Sequence, residues 1–186
     1  MQGAGGASLS SDADNTTSSG RRRIGVLAVI ASIVVALDQA TKIIAVELLG
    51  DGRVVPVIDG VLQLRLVRNP GAAFGLGVNF TVVLAVIVMV VIGAILRMTR
   101  RLTSLPWAIA LGGMLGGAIG NLIDRLFRAP GPMRGHVVDF FDLTNWPVFN
   151  IADSAVVGSA VLIAILSLRG VTHDGSRPES ATGGRE

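Results

Sequence analysis

Residues 149–168 read FNIADSAVVGSAVLIAILSL, so that Asp153 is followed by fifteen residues without a charge. In a chain this apolar, a run of that length places Asp153 near or inside a membrane. A carboxylic acid at such a position is costly and points by default to a functional site. A second acid, Asp139, lies fourteen positions earlier within GHVVDF, residues 135–140. We expect Asp139 and Asp153 to form a catalytic pair, and the rest of the chain to build their surroundings.

The overall composition is that of a polytopic membrane protein. Hydrophobic residues make up 51% of the 186 positions and charged residues 16%, whereas a soluble domain carries about 25% charged residues. The absence of cysteine excludes disulfide bonds and thiolate metal ligands, and two histidines are too few for a histidine-based metal site without several carboxylates. The net charge of +3 comes with arginines beside apolar runs, which fits membrane topology better than nucleic-acid binding.

Four long apolar segments predict four transmembrane helices, at about 24–48, 77–97, 105–127 and 150–168. The basic residues before the first segment also fit a secretory signal peptide. Against that alternative, apolar residues resume beyond Lys42 and no clear small-x-small cleavage site follows. We therefore predict an all-α polytopic membrane protein with a single membrane domain. Its expected organisation is a disordered tail at 1–20, the membrane domain at 21–170 and a disordered tail at 171–186.

A short β-structure outside the membrane is predicted between the first two helices. Residues 54–58 and 62–68 are strand-like, and Asp59-Gly60 between them is a hairpin turn signal. This β-hairpin, at about 53–68, is too short to span a bilayer and has open edges, so it should lie at the membrane surface. Residues 129–148 contain three prolines and three aromatic residues and are predicted to be a loop at the interface.

Glycines on the third predicted helix indicate close helix packing. Gly112, Gly116 and Gly120 repeat at four-residue spacing, with Gly113 and Gly117 beside them. Such small-residue stripes let helix backbones approach closely in lipid. A glycine-rich loop of a soluble protein is the alternative, but the length and apolarity of the segment oppose it.

The arginines indicate the orientation of the chain in the membrane. Residues 21–23, the turn at 97–101 and Arg169 fall on one side of a four-helix arrangement. By the positive-inside rule that side, with both termini, is cytoplasmic. The hairpin and the 129–148 loop then face outward. These outward segments also carry arginines, so the cluster on the short 97–101 turn decides the orientation.

Helix depth brings three acids to one level. Measured along each predicted helix from its cytoplasmic end at ~1.5 Å per residue, Asp38 lies ~22 Å deep, Asp153 ~24 Å and Asp124 ~27 Å. The hydrocarbon core of a bilayer is about 30 Å thick. We therefore expect all three acids in the outer part of the membrane, where independent solvated acids would not share a depth.

Two groups of polar residues on the helices admit a purely structural explanation. Asp38 and Lys42 are spaced i, i+4 and would neutralise each other, with a secondary role in orienting the site. Asn121, Asp124 and Arg125 share a face near the outer end of the third helix. They form either an end-of-helix ion pair with a packing amide, or a support that holds the catalytic acids.

Asn150 and Asp153 on their own match a helix N-cap followed by an acid in the first turn. That explanation leaves Asp139 unaccounted for. Two acids brought together at low dielectric do not both ionise easily, and acid–base cleavage of an amide requires one protonated and one ionised group. His136 is either a third proton carrier or a surface residue. The usual motifs of serine, cysteine and zinc proteases are absent from the sequence.

Five sequence blocks resemble those of the lipoprotein signal peptidase (signal peptidase II) family. They are DQATK at 38–42, RNPGAAFG at 68–75, GNLIDR at 120–125, HVVDF at 136–140 and FNIADS at 149–154. The blocks stand in the family's order among four apolar helices, and the likeness covers residues 24–169.

The resemblance implies an intramembrane aspartic endopeptidase of the bacterial plasma membrane. Such enzymes remove the signal peptide from diacylglyceryl-modified prolipoproteins, cutting just before the lipidated Cys. The family's aspartate dyad falls on Asp139 and Asp153, and its outward β-cradle on the predicted hairpin. Its supporting or substrate-binding positions fall on Asp38, Lys42, Asn69, Asn121, Asp124, Arg125 and Asn150. The implied partners are lipid-modified prolipoproteins, membrane lipids and globomycin-type inhibitors, with no nucleic acid and no metal or organic cofactor.

The expected mechanism uses a water activated by the ionised member of the pair, while the other acid polarises the peptide carbonyl and later protonates the leaving amine. Asp153, at a helix N-terminus, is favoured as the ionised member. On physical grounds alone, a small proton-coupled transporter is the alternative and a noncatalytic membrane assembly protein is a third. Transporters often show internal repeats and broken helices, which this sequence lacks. An assembly protein would not need acids gathered at one depth.

Overall fold

A computed structural model describes residues 8–71 and 80–174 as four long helices and three short strands. In chain order these are α1 (Ser8–Leu49), β1 (Val54–Ile58), β2 (Leu62–Asn69), α2 (Phe80–Met98), α3 (Leu105–Phe127), β3 (Val137–Leu143) and α4 (Ile151–Leu168). A 3-10 turn, Thr99–Arg101, links α2 to α3. All four helices contain a segment long and apolar enough to cross a membrane, which confirms the prediction of four transmembrane helices. The predicted start of α2 at position 77 lies outside the described residues.

The first helix begins earlier than the sequence predicts. α1 starts at Ser8, so residues 8–20 are helical, while residues 1–7 lie outside the described part of the chain; the division of the chain into tails and a membrane domain stays a prediction. The stretch 8–20 contains no proline, and extending an existing helix by a residue costs far less than nucleating a new one. The helix therefore continues beyond its apolar span, Gly20–Leu49.

The segment after α4 is also ordered where the structure describes it. The backbone carbonyl of His173 accepts hydrogen bonds from the N–H groups of Thr103 (3.0 Å) and Ser104 (3.3 Å), just before α3. Backbone groups at the start of α3 thus find their partners in this segment, and the predicted tail at 171–186 stays a prediction. Residues 175–186 lie outside the described part.

α3 is the central helix and contacts the other three. Its glycines let the neighbouring backbones approach closely. A Cβ atom on Gly116 would lie 2.8 Å from the carbonyl oxygen of Ala31 in α1, and one on Gly117 would lie 2.5 Å from that of Ala152 in α4. A larger side chain at either position would force the helices apart. The structure confirms the prediction that the glycine stripe packs helices together.

The three strands form one antiparallel sheet in the order β1-β2-β3. β1 and β2 are the predicted hairpin, and Gly60 in its turn has a φ of 70°, a backbone conformation that glycine adopts without strain. β3 pairs with the other edge of β2, so that Asp139 lies opposite Val67.

The expectation of a loop over all of residues 129–148 is therefore wrong at 137–143. The free edge of β2 would otherwise present a row of unpaired backbone groups. The largely apolar run VVDFF of β3 fills that edge and is buried over its first four residues.

Two clusters of buried apolar residues hold these elements together. One lies among the helices around Trp107. The other joins the end of α1 to the sheet: it contains Leu49 of α1 and Val138 of β3, and Ile151, the first residue of α4, packs against it. This second cluster brings the aspartate-bearing strand next to the start of the aspartate-bearing helix.

Candidate active site

Asp139 lies on β3 in a buried position, only 1% exposed. Both of its carboxylate oxygens accept hydrogen bonds: Asn69 Nδ2 donates to Oδ2 at 2.9 Å and Asn150 Nδ2 donates to Oδ1 at 2.6 Å. Burial raises the pKa of Asp139 to about 6. The negative charge of Asp153 adds to this rise in pKa, and the two amide hydrogen bonds oppose it. A carboxyl group with a pKa this close to neutrality is suited to change its protonation state during a reaction.

Asp153 lies in the first turn of α4, where Asn150 is the N-cap residue. The two form a capping box, in which the Asp153 N–H donates to Asn150 Oδ1 at 2.9 Å and the Asn150 N–H donates to Asp153 Oδ2 at 3.2 Å. Asn121 Nδ2 of α3 donates to the other carboxylate oxygen, Oδ1, at 2.8 Å. The predicted N-cap arrangement is confirmed, and both oxygens of Asp153 are held.

Asn150 connects the two aspartates. It is fully buried; its side-chain amide binds Asp139 while its backbone N–H binds Asp153. The same amide nitrogen lies 3.2 Å from Asn121 Oδ1 and 3.3 Å from the carbonyl oxygen of Val138. Capping of α4 therefore accounts for only part of what Asn150 contacts, because the residue also fixes one carboxyl group relative to the other.

Behind the aspartates lies a buried ion network centred on Lys42. Its Nζ donates to Asp38 Oδ2 at 2.8 Å, to Asp124 Oδ2 at 2.9 Å and to Asn121 Oδ1 at 3.0 Å, and the three charged side chains are 0% exposed. Arg128 Nε binds the other oxygen of Asp124 at 2.6 Å. Two cations thus balance two carboxylates, as charges removed from water require. The predicted Asp38–Lys42 pair is confirmed, and it is part of a larger network.

The two carboxylates of this network also bind backbone beside the candidate catalytic residues. Asp38 Oδ1 accepts a hydrogen bond at 3.0 Å from the N–H of Ala152, immediately before the aspartate of α4. Asp124 Oδ2 accepts one at 3.1 Å from the N–H of Val138, immediately before the aspartate of β3. Each of these backbone segments is therefore anchored to a helix that does not carry the candidate dyad.

A cavity of about 310 Å³ lies between α2, α3 and α4 and reaches Asp153. Its polar lining comes from Asn121, Arg125 and Asp153, and its other walls are apolar. Arg125 Nη1 donates to the backbone carbonyl of Asn121 at 3.3 Å, whereas its buried Nε has no hydrogen-bond partner among residues 8–71 and 80–174. A buried donor left without an acceptor costs free energy.

The structure brings together all nine residues predicted for the site. They form one connected set of hydrogen bonds and ion pairs: Asp38, Lys42, Asn69, Asn121, Asp124, Arg125, Asp139, Asn150 and Asp153. Their division into catalytic and supporting residues stays a prediction. The predicted ion pair at the end of α3 exists, but Asp124 forms it with Arg128 and not with Arg125. Side chains four residues apart on a helix are neighbours and can pair, whereas side chains of adjacent residues do not face each other.

Two residues that contact the network were missed from the sequence. The i, i+4 spacing of Arg128 after Asp124 was a usable signal. Gln39 had none, because its Nε2 binds Asp38 Oδ2 at 3.0 Å and the carbonyl of Gly120 at 3.1 Å only once α1 and α3 are packed. His136 is half-buried, and its Nε2 has no hydrogen-bond partner among the described residues.

Known proteins resemble this chain in sequence, and solved structures resemble it in fold. A model of the signal peptidase (SPase) II family matches residues 30–169. The lipoprotein signal peptidase of Mycobacterium avium is 52% identical over 153 residues, covering 82% of this chain and 84% of the relative. That of Rhodococcus jostii is 50% identical over 157 residues, covering 84% and 79%. One bacterial membrane enzyme solved by the in meso method is 32% identical with a TM-score of 0.69, covering 78% of this chain and 94% of that one. A second is 30% identical with a TM-score of 0.70, covering 84% and 95%.

Proposed function

Since the chain belongs to the signal peptidase II family, we propose that it removes signal peptides from bacterial prolipoproteins as an intramembrane aspartic endopeptidase. The observation that carries the aspartic mechanism is the pair Asp139 and Asp153, joined through Asn150. Asp139 is buried and has a raised pKa, while Asp153 lines a cavity between helices. Two carboxyl groups in such different surroundings are suited to different roles in acid–base catalysis.

In the proposed reaction, ionised Asp153 takes a proton from a water molecule, whose oxygen attacks the scissile carbonyl. Protonated Asp139 donates a hydrogen bond to the carbonyl oxygen as negative charge develops there. When the tetrahedral intermediate collapses, the C–N bond breaks and the leaving amine receives a proton from the pair. The raised pKa of Asp139 supports its assignment as the acid. The access of Asp153 to the cavity supports its assignment as the base.

The surrounding polar residues are proposed to position this pair. Lys42 holds Asp38 and Asp124, and these two bind the backbone immediately before each dyad residue. Arg125, whose side chain lines the cavity, is proposed to bind a backbone carbonyl of the substrate. Fixed donors and charges of this kind lower a reaction barrier because they need no reorganisation.

The proposed substrate is a prolipoprotein carrying a diacylglyceryl group, cut just before the lipidated Cys. The cavity at Asp153 takes its apolar walls from α2, α3 and α4, which are long and apolar enough to cross a membrane, so the acyl chains are proposed to enter sideways from the bilayer. The outer strand β1 exposes Val57 and Ile58, each 54% exposed, and the sheet is proposed to rest on the membrane surface and position the peptide. Globomycin-type cyclic peptides are proposed inhibitors, and nucleic acid is not a proposed partner.

The proposed topology places both termini in the cytoplasm and the dyad near the outer face of the plasma membrane. Arg23 Nε donates to the carbonyl of Thr103 at 3.2 Å, which puts the arginines of α1 beside the arginine-rich 97–101 turn. Asp124 lies at the opposite end of α3 from that turn. The positive-inside rule then supports a cytoplasmic arginine-rich end. Residues 21–170 are proposed to form the single membrane domain.

The decisive experiment compares Asp139→Asn and Asp153→Asn with Asp142→Asn in cleavage of a purified lipidated precursor. Asp142 makes a matched control, because it lies on the same strand but binds Gln63 and Arg65 away from the dyad. We expect the first two variants to lose turnover and the control to keep it. Near-normal turnover by either dyad variant would refute the aspartic mechanism. An unlipidated precursor cut as fast as the lipidated one would refute the proposed substrate.

A further inference from the structure

A second cavity lies at the end of the helix bundle away from Asp139 and Asp153. It measures about 580 Å³ and is lined by Ala94, Arg97, Met98, Arg100, Arg101 and His173. Its three arginines close the apolar span of α2, Thr81–Arg101. Long basic side chains at the end of a membrane span extend to the level of the lipid headgroups. The cavity therefore lies where lipid phosphates are concentrated.

The arginines of this cavity have no ion-pair partner within the part of the chain that the structure describes. At the aspartate end of the molecule, by contrast, Arg53, Arg65 and Arg128 each pair with an aspartate. Three guanidinium groups around one cavity repel one another unless an anion lies between them. A phosphate group has the charge and the acceptor geometry that guanidinium groups bind best.

One wall of the cavity is fixed by the fold. The ring of His173 packs edge-on against Trp107, with ring centroids 5.9 Å apart and an interplanar angle of 64°. Trp107 Nε1 in turn donates to the carbonyl of Val171 at 2.8 Å. Together with the hydrogen bonds from Thr103 and Ser104 to the His173 carbonyl, these contacts hold the wall in place. A preformed wall lowers the entropy cost of binding.

The face of α2 above the cavity suits an acyl chain. Val83, Ile87, Val90 and Ala94 precede Arg97 at alternating spacings of four and three, so they line one face of the helix. Val83, Ile87 and Val90 are 44%, 51% and 67% exposed. This apolar face leads from the bilayer interior to the arginines. A free phosphate ion would make no use of such a face, whereas the acyl chain of a lipid would.

We propose that this cavity binds the phosphate headgroup of an anionic phospholipid, with one acyl chain along the exposed face of α2. Basic pockets between transmembrane helices are a known means of binding anionic headgroups. The site is separate from the dyad and does not depend on the proposed reaction.

The test is a titration of the full-length protein in neutral detergent with phosphatidylglycerol, and separately with phosphatidylcholine, followed by native mass spectrometry. One phosphatidylglycerol should bind in preference to phosphatidylcholine. The double variant Arg97→Gln/Arg100→Gln should bind it about 25-fold more weakly, at about 5-fold per arginine. The control Arg21→Gln/Arg22→Gln removes the same charge from the same end of the bundle without touching the cavity lining. It should weaken phosphatidylglycerol binding by less than about 3-fold, since it removes charges that act on the lipid only from a distance, where salt screens them.

Ala94→Phe distinguishes binding inside the cavity from general attraction of anionic lipid to a basic surface, because it keeps every charge while filling part of the cavity. It should also weaken phosphatidylglycerol binding. The proposal would be overturned if the two double arginine variants lost equal affinity for phosphatidylglycerol, or if Ala94→Phe bound this lipid as tightly as the wild type. Displacement of the lipid by inorganic phosphate at equal concentration would identify a free anion as the occupant and overturn it too. If the Arg97/Arg100 variant fails to fold, the Ala94→Phe and phosphate measurements decide.

Discussion

Lys42→Met should lower the free energy of unfolding by about 3–5 kcal/mol, because it removes the cation that two buried carboxylates share. Lys42 Nζ has three acceptors within 3.0 Å, and its side chain is 0% exposed. Methionine has a similar length and flexibility and fills the space with little loss of packing. The loss therefore reports on charge and hydrogen bonding.

The cost should fall mainly on Asp38. Asp124 keeps Arg128 as a cation, 2.6 Å away, whereas Asp38 keeps, among the described residues, only the N–H of Ala152 and the amide of Gln39. The double variant Asp38→Asn/Lys42→Met removes the uncompensated charge together with the cation. We expect it to recover at least half of the lost stability and to end about 1–2 kcal/mol below the wild type.

The assay is equilibrium unfolding in mixed micelles under increasing SDS, followed by tryptophan fluorescence. Arg53→Gln is the control, because it breaks an ion pair with Asp51 whose side chains are 60% and 54% exposed; its unfolding should stay close to that of the wild type. If Lys42→Met unfolds within about 1 kcal/mol of the wild type, or if Asp38→Asn adds to the loss instead of offsetting it, the network does not hold a buried charge.

Three further predictions concern the dyad and its surroundings. Burial raises the pKa of Asp139 from 3.8 to about 6, so the folded chain binds this proton more tightly than the unfolded chain. The resulting stabilisation is present at low pH and is lost as the pH rises through 3.8–6. The free energy of unfolding of Asp139→Asn, measured relative to that of the wild type, should therefore rise by about 3 kcal/mol between pH 3 and pH 8. A difference between the two proteins that does not change with pH would contradict this. Asn150→Ala should slow single-turnover cleavage about 100-fold by releasing Asp139, with near-normal turnover as the contrary result. A Cβ atom on Gly120 would lie 2.5 Å from Asp38 Oδ2, so Gly120→Ala should cost about 1–3 kcal/mol in the same unfolding assay. Gly93→Ala, in open space, should cost nothing measurable, and equal effects would argue against steric conflict.

The ends of α3 are predictable because charges and proline mark them. α3 was predicted at 105–127 and is observed there, since Pro106 starts it, and Arg101 and Arg128 flank an apolar core. Helical periodicity also placed Asp38 with Lys42, because i, i+4 contacts depend only on local geometry. Depth along three helices then indicated which acids would meet, although it did not indicate the bonds between them.

The third strand was not predictable on the same basis. β3 pairs with β2, which lies roughly seventy positions earlier in the chain, and Val137 stands opposite Asn69. Nothing in the local sequence of either strand indicates which distant segment it will pair with. The prolines of the surrounding segment favour a loop, and only the free edge of β2 selects a strand. The contact from Asn69 to Asp139 depends on this pairing. For the same reason the bond between them had no sequence signal apart from family resemblance.

The glycine stripe of α3 contributes to the site as well as to helix packing. Gly116 and Gly117 set the separation of α3 from α1 and from α4, and Gly120 leaves room for the carboxylate of Asp38. At that separation Lys42 of α1 reaches acceptors on α3, and Asp38 reaches the backbone of α4. A larger side chain at these glycines would lengthen all of these contacts together, because they share the same helix–helix distances. The positions of Asp139 and Asp153 therefore depend on residues that carry no polar group.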